Sequence, residues 1–211
     1  MRLFGILCIL LLLFLPVNNL GANEAEDLLT LCRKATLQKN IAGYSAVCRY
    51  LYLREEKPEL LALYADSIRQ IGVRTKNVEC FIEYYSWNSE ACFMKGDFVG
   101  GYALKNKALS LAERMKNNSY ITELCSDMGY YYNVDARYDS ARYYLKKGMA
   151  VSKESPKLAE HYRTMLTNYA SSYLYEGETD SALIYTEKAK ERSVADKDTA
   201  CLLYTSPSPR D

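Results

Sequence analysis

Residues Tyr175–Ser193 read YEGETDSALIYTEKAKERS, and two earlier stretches fall in register with them. These are Met94–Ala112, MKGDFVGGYALKNKALSLA, and Asn133–Val151, NVDARYDSARYYLKKGMAV, the latter shifted by one residue. In register, Gly101, Ala141 and Ala182 share one place, spaced by 40 and 41 residues. Ala108, Gly148 and Ala189 follow seven residues later, and Ser89, Gly129 and Ala170 lie twelve residues earlier. All of them are Gly, Ala or Ser. Small residues recurring at a fixed spacing mark places where two backbones approach closely, and a period of this length marks stacked supersecondary units.

The units are helical. Apolar and small residues recur at helical spacing, as at Ala141, Tyr144, Leu145 and Gly148, with little strand-like alternation between Asn23 and Ala200. The breaks are short and carry turn chemistry: Lys57-Pro58, Lys95-Gly96-Asp97, Asn117-Asn118-Ser119, Asp135-Ala136 and Glu176-Gly177-Glu178. Gly96 and Gly177 are placed to cap helix C-termini, where a positive φ suits glycine. Short turns between some eight or nine helices make neighbours antiparallel.

This pattern resembles the tetratricopeptide repeat family, most closely over Gly177–Ala189, GETDSALIYTEKA. The family places small residues on both helices of a hairpin and fills the gaps with large ones, here Tyr132, Tyr173, Phe98 and Tyr138. Departures are visible. Tyr85, Cys125 and Leu166 stand where the family has an early Trp, Pro156 is displaced beyond the repeat end, and the period exceeds the family's usual ~34 residues. The resemblance implies an all-α solenoid of antiparallel helix hairpins with a right-handed superhelical turn. It covers three repeats, at about 82–121, 122–162 and 163–200. Residues 23–81 form a divergent N-terminal repeat or cap, with Arg49 and Leu61 where small residues belong.

Both ends stand apart. Residues Met1–Ala22, MRLFGILCILLLLFLPVNNLGA, have a basic start, an apolar run Leu3–Leu15, a break at Pro16 and small residues Gly21 and Ala22, the layout of a secretory signal peptide. The run is short of the ~20 residues that span a bilayer. Export, to the periplasm of a Gram-negative bacterium, is the expected destination. Cys201–Asp211, CLLYTSPSPRD, resembles the one-frame translation of a transposase adaptor used in preparing sequencing libraries. Native sequence is accordingly expected to end at Ala200 within a longer protein.

Composition narrows the chemistry. Lys plus Arg is 27 against 26 for Asp plus Glu, so no net field favours nucleic acid. Apolar residues make up 49 % and charged residues 25 %, an ordinary globular balance. The 20 tyrosines suit half-buried helix surfaces. His161 is the only histidine, which excludes a multi-histidine metal site. Cys32, Cys48, Cys80, Cys92 and Cys125 show no C-x-x-C spacing; Cys92 and Cys125 occupy core-like repeat positions. Gly100-Gly101 belongs to helix packing and not to a phosphate loop, and the carboxylates are scattered as on solvated helix faces. No catalytic, cofactor or metal site is expected. Asp66-Ser67-Ile68, Asp139-Ser140-Ala141 and Asp180-Ser181-Ala182 resemble an O-glycosylation motif of exported proteins, although Asp and Ser also suit a helix first turn.

By the family resemblance, the first helices of successive hairpins line a groove for a peptide or a partner's helix. The expected groove residues are Glu83, Ser86, Glu90 and Phe93, then Glu123, Ser126, Tyr130 and Asn133, then Thr164, Thr167, Ser171 and Leu174. This set lacks the Lys/Arg clamp with which family members grip a C-terminal carboxylate. The expected function is protein or peptide binding without catalysis. The alternative is the sensory region of a membrane-anchored signalling protein, a histidine kinase or helix-turn-helix regulator, whose output domain lies beyond Ala200.

Overall fold

The computed structural model describes residues 30, 41–54 and 57–195. The signal segment, the tail 201–211 and the cysteines Cys8, Cys32 and Cys201 lie outside the described residues. Within them run eight α-helices and one 3₁₀ turn: α1 (Ile41–Leu53), α2 (Pro58–Thr75), α3 (Glu79–Met94), α4 (Phe98–Arg114), α5 (Asn118–Val134), α6 (Tyr138–Ser152), the 3₁₀ turn Pro156–Leu158, α7 (Ala159–Tyr175) and α8 (Thr179–Ala195). No strand occurs among the described residues.

Starts and stops follow from side-chain chemistry. Pro58 opens α2 at a position whose N–H would have no helical partner. The Asn117 side chain accepts from the Tyr120 N–H at the head of α5, and Asp97 accepts from the Gly100 N–H at the head of α4. The stops share one device. At Lys76, Gly96, Lys116, Ala136 and Gly177 the chain takes φ of 54°, 77°, 53°, 54° and 83°. The following N–H then donates five residues back: Asn77 to the Gly72 carbonyl, Asp97 to Cys92, Asn117 to Ala112, Arg137 to Tyr132 and Glu178 to Tyr173, at 2.8–3.2 Å. This left-handed cap closes α2, α3, α4, α5 and α7. By contrast, α6 ends in the Ser155–Pro156 segment that leads into the 3₁₀ turn. Helices of 15 to 17 residues from α3 onward, joined by these turns, account for the long period.

Two units divide at Leu104 and Lys105. In the first, α1 packs on α2 and α2 on α3. Val47, Cys48 and Leu51 of α1 meet Leu61, Tyr64 and Ile68 of α2 in the core. Leu61 is fully buried, so the first hairpin is filled by a large side chain where later hairpins use a small one. Gly72 gives α3 its approach: a Cβ there would lie 2.7 Å from the Cys80 Cβ. Further along, the Phe93 ring lies over Gly101, and Phe98 and Tyr102 complete an aromatic cluster.

In the second unit α5 packs on α6, α6 on α7, α7 on α8, and α5 directly on α7. A Cβ on Gly129 would strike Leu145, and one on Gly148 would come within 2.5 Å of the Met165 sulfur and 2.9 Å of the Cys125 Cβ. Ser89, Gly101, Ala108, Gly129, Ala141, Gly148, Ala170, Ala182 and Ala189 are all buried. Lys105 of α4 is completely buried and pairs with Asp127 of α5 at 2.7 Å. The chain is thus an all-α, tetratricopeptide-like array of consecutive helix pairs.

Ala136 is exposed and carries a conformation that disfavours any Cβ. Ala136→Gly removes about 1–2 kcal/mol of strain and returns about 0.4–1 kcal/mol of unfolded-state entropy. Urea denaturation should therefore show a net gain of roughly 0.5–1 kcal/mol; an unchanged or lower stability would show that the turn is not left-handed.

Candidate functional site

The first-helix faces hold the expected groove residues in three different settings. On α3, Glu83 and Ser86 are half-buried, whereas Glu90 and Phe93 are buried. Glu83 already accepts from the Ser45 hydroxyl at 3.0 Å and from the Trp87 indole N–H at 2.9 Å, tying α3 to α1. Phe93 belongs to the cluster over Gly101 and so fills the hairpin instead of lining a groove. On α5, Tyr130 is exposed and Glu123 half-buried, but Ser126 and Asn133 are buried. Glu90, Phe93, Ser126 and Asn133 are therefore corrected from open-face to buried positions. The expectation followed helical spacing alone, and spacing does not reveal how much neighbouring side chains cover each position.

On α7, Thr164, Thr167 and Leu174 are exposed and Ser171 is half-buried. The three hydroxyls donate to the carbonyls of Glu160, Arg163 and Thr167, each four residues back. Their hydrogens are engaged by their own helix, so toward a ligand they offer acceptor lone pairs.

Where α5 and α7 meet, a cleft of about 310 Å³ opens. Tyr130, Asn133 and Val134 of α5 form one wall, Asn168, Ser171 and Tyr175 of α7 the other, and Tyr138 at the head of α6 one end. Three of these residues are in the sequence-derived groove; Val134, Tyr138, Asn168 and Tyr175 are not. Val134 and Tyr175 lie four residues beyond Tyr130 and Ser171, so one more helical turn would have reached them. Tyr138 and Asn168 carry no such signal, because Tyr138 opens the second helix of its hairpin. Asn133 is anchored across the cleft floor, its Nδ2 donating to the Asn168 carbonyl at 2.8 Å.

Aromatic and ionic contacts brace the walls. Arg142 reaches Asp139 at 2.6 Å and also Glu176, and lies 4.8 Å over the Tyr173 ring. These carboxylates, Glu176 first, hold its guanidinium well above its ordinary range. Tyr132 and Tyr144 stack at 5.4 Å, and Tyr169 meets Tyr185 at 4.5 Å. Burial raises the phenol groups of Tyr132, Tyr144 and Tyr169, and it pushes the Cys125 thiol up to about 12. The thiol therefore stays protonated at neutral pH and packs as a small apolar group under Gly148. A second, shallower cleft of about 300 Å³ between α7 and α8 is lined by Tyr162, Leu166, Lys188 and Arg192. Among the described residues no group of three or more His, Cys, Asp or Glu side chains is arranged to hold a metal ion.

No protein-family model matches the chain, and no curated protein matches it. Among solved structures, the crystal structure of MamA protein is similar, with a TM-score of 0.48 and 16 % sequence identity over 85 % of this chain and 97 % of that one.

The buried acids set a direction for alkaline behaviour. Cys125, Tyr132, Tyr144 and Tyr169 hold their protons more tightly folded than unfolded. Stabilisation from their neutral forms is complete below the thiol's ordinary 9.0 and is lost as the pH climbs toward about 12. Urea midpoints should fall between about pH 9 and about pH 12, and less steeply in Cys125→Ala. A midpoint flat across this range would contradict the burial of these groups.

Proposed function

We propose that the chain is an exported repeat protein that holds a protein or peptide partner along the face shared by α5 and α7. The observation that carries this reading is the cleft between them, whose lining residues Tyr130, Val134 and Tyr175 expose apolar surface beside the buried Asn133. Aromatic side chains at the mouth of a concavity supply contact area at low entropic cost, the usual composition of a recognition surface. Export rests on the layout of residues 1–22.

The last helix favours a second reading. On α8, Leu183 and Ile184 are 66 % and 54 % exposed, a face suited to a further packed helix. Additional repeats, a membrane span and an output domain after Ala200 would make the chain the sensory region of a signalling protein. Among the described residues no helix is long and apolar enough to cross a membrane. The uninterrupted gene beyond codon 200 separates the readings, because a stop after one polar helix would eliminate the sensor.

Photo-crosslinking in the native host tests the binding reading. A benzophenone side chain placed at Tyr130 or Leu174 should give a discrete adduct, and one at exposed Tyr143 of α6 should not. Adducts from Tyr143 alone, or from none of the three, would overturn it. The crosslinked species should be recovered outside the cytoplasm without residues 1–22.

A further inference from the structure

One stripe of α6 meets the hairpin that follows it. Arg142 reaches Glu176 and lies 4.8 Å over the Tyr173 ring, and Lys146 lies 5.7 Å from the centre of the Tyr169 ring. The register that aligns Ala141 with Ala182 carries Arg142, Lys146, Met149 and Lys153 onto Leu183, Glu187, Lys190 and Val194 of α8. These four recur at 4-3-4 spacing, so they form one stripe along a single helix face. All of them are exposed, Leu183 and Val194 at 66 % and 56 %. Their helix is the last among the described residues.

The chemistry of the stripe changes between the two helices. Two cations of α6 that engage the rings and the carboxylate of α7 give way on α8 to a leucine and a glutamate. A further hairpin of the α7 kind would therefore bring tyrosine rings and a carboxylate to a stripe without a cation at either place. Read along the helix, the α8 stripe is apolar, acidic, basic, apolar, and it is its own complement when reversed. A two-fold axis passing between Lys188 and Ala189 would set Leu183 opposite Val194 and Glu187 opposite Lys190, each twice. Such an interface requires this reciprocity, because residue i meets j and j meets i. The spacing is also that of a knobs-into-holes seam. A parallel pair would instead oppose Glu187 to Glu187 and Lys190 to Lys190.

We propose that α8 is a self-association surface, on which a second copy of this chain docks its own α8 in antiparallel orientation. The inference is independent of the α5–α7 cleft. Leu183 and Val194 bury apolar area at the ends of the seam, and the two Glu187–Lys190 pairs between copies fix its direction and register. Within one copy these side chains already meet at 3.3 Å and stay exposed. The pairs between copies therefore form without burying a lone charge, and the dimer is reversible and sensitive to salt.

Sedimentation equilibrium of the full chain tests this, alongside Glu187→Lys, Lys190→Glu and the two changes together. Residues 1–22 and the rest of the surface are common to all of these proteins, so differences between them report on α8. The chain should dimerise, and each single variant should do so at least about tenfold more weakly, because two attractive contacts become repulsive. An equimolar mixture of the single variants should recover a dimer containing one of each. The double variant, whose stripe is again its own complement, should match the original chain. Raising the salt from about 0.05 M to about 0.5 M should weaken the dimer and narrow its margin over the single variants. A monomer at every concentration, equal association of all variants, or a mixture no stronger than its parts would overturn the proposal. The monomer result would leave the α8 face to a further helix of the same protein.

Discussion

Two helices can approach only as closely as the bulk between them permits, and here that bulk is removed at fixed positions. Gly129 lies under Leu145, Gly148 under Met165 and Cys125, Gly101 under Phe93, and Gly72 beside Cys80. At each of these a Cβ would overlap a neighbour that is itself held by packing. The close approach lets large side chains interdigitate on either side of the contact, which is where Leu145, Met165 and Tyr169 become fully buried. It also brings α5 into direct contact with α7, so the cleft is a product of the same constraint.

Much of the fold was legible because this constraint writes itself into residue type. Helix–helix contact on both sides of a hairpin leaves small residues at a regular spacing, and Gly96 and Gly177 announce their turns. The equivalent turns at Lys76, Lys116 and Ala136 were silent, because local backbone bonds close the helix there around exposed residues whose type does not advertise a left-handed conformation. The first hairpin was faint for a related reason, since Leu61 solves the same packing problem with a large side chain.

The candidate site was less legible. Helical spacing identified the faces of α3, α5 and α7 but could not separate Tyr130, which is exposed, from Asn133, which is covered. The value of Asn133 lies in its cross-helix bond to Asn168, a pairing 35 residues apart that no local pattern encodes. Charges behave similarly. Lys105 reads as a solvated residue in an amphipathic helix, yet it is completely buried against Asp127. Burial of the ammonium offsets most of what such a pair contributes, but removing Asp127 would strand a buried charge, so breaking the pair is costly.

The recurring left-handed cap has a kinetic consequence. Each cap reverses the chain within a few residues, so the contacts that build a hairpin join segments close in sequence, as α5 does with α6 and α7 with α8. Low sequence separation means little loop-closure entropy before contacts begin to stabilise, which favours fast folding through local nuclei. Any hairpin can serve as the starting point, and ordering then spreads to its neighbour. The Ser155–Pro156 segment lacks this cap, so α6 and α7 are joined without the local reversal that closes the hairpins.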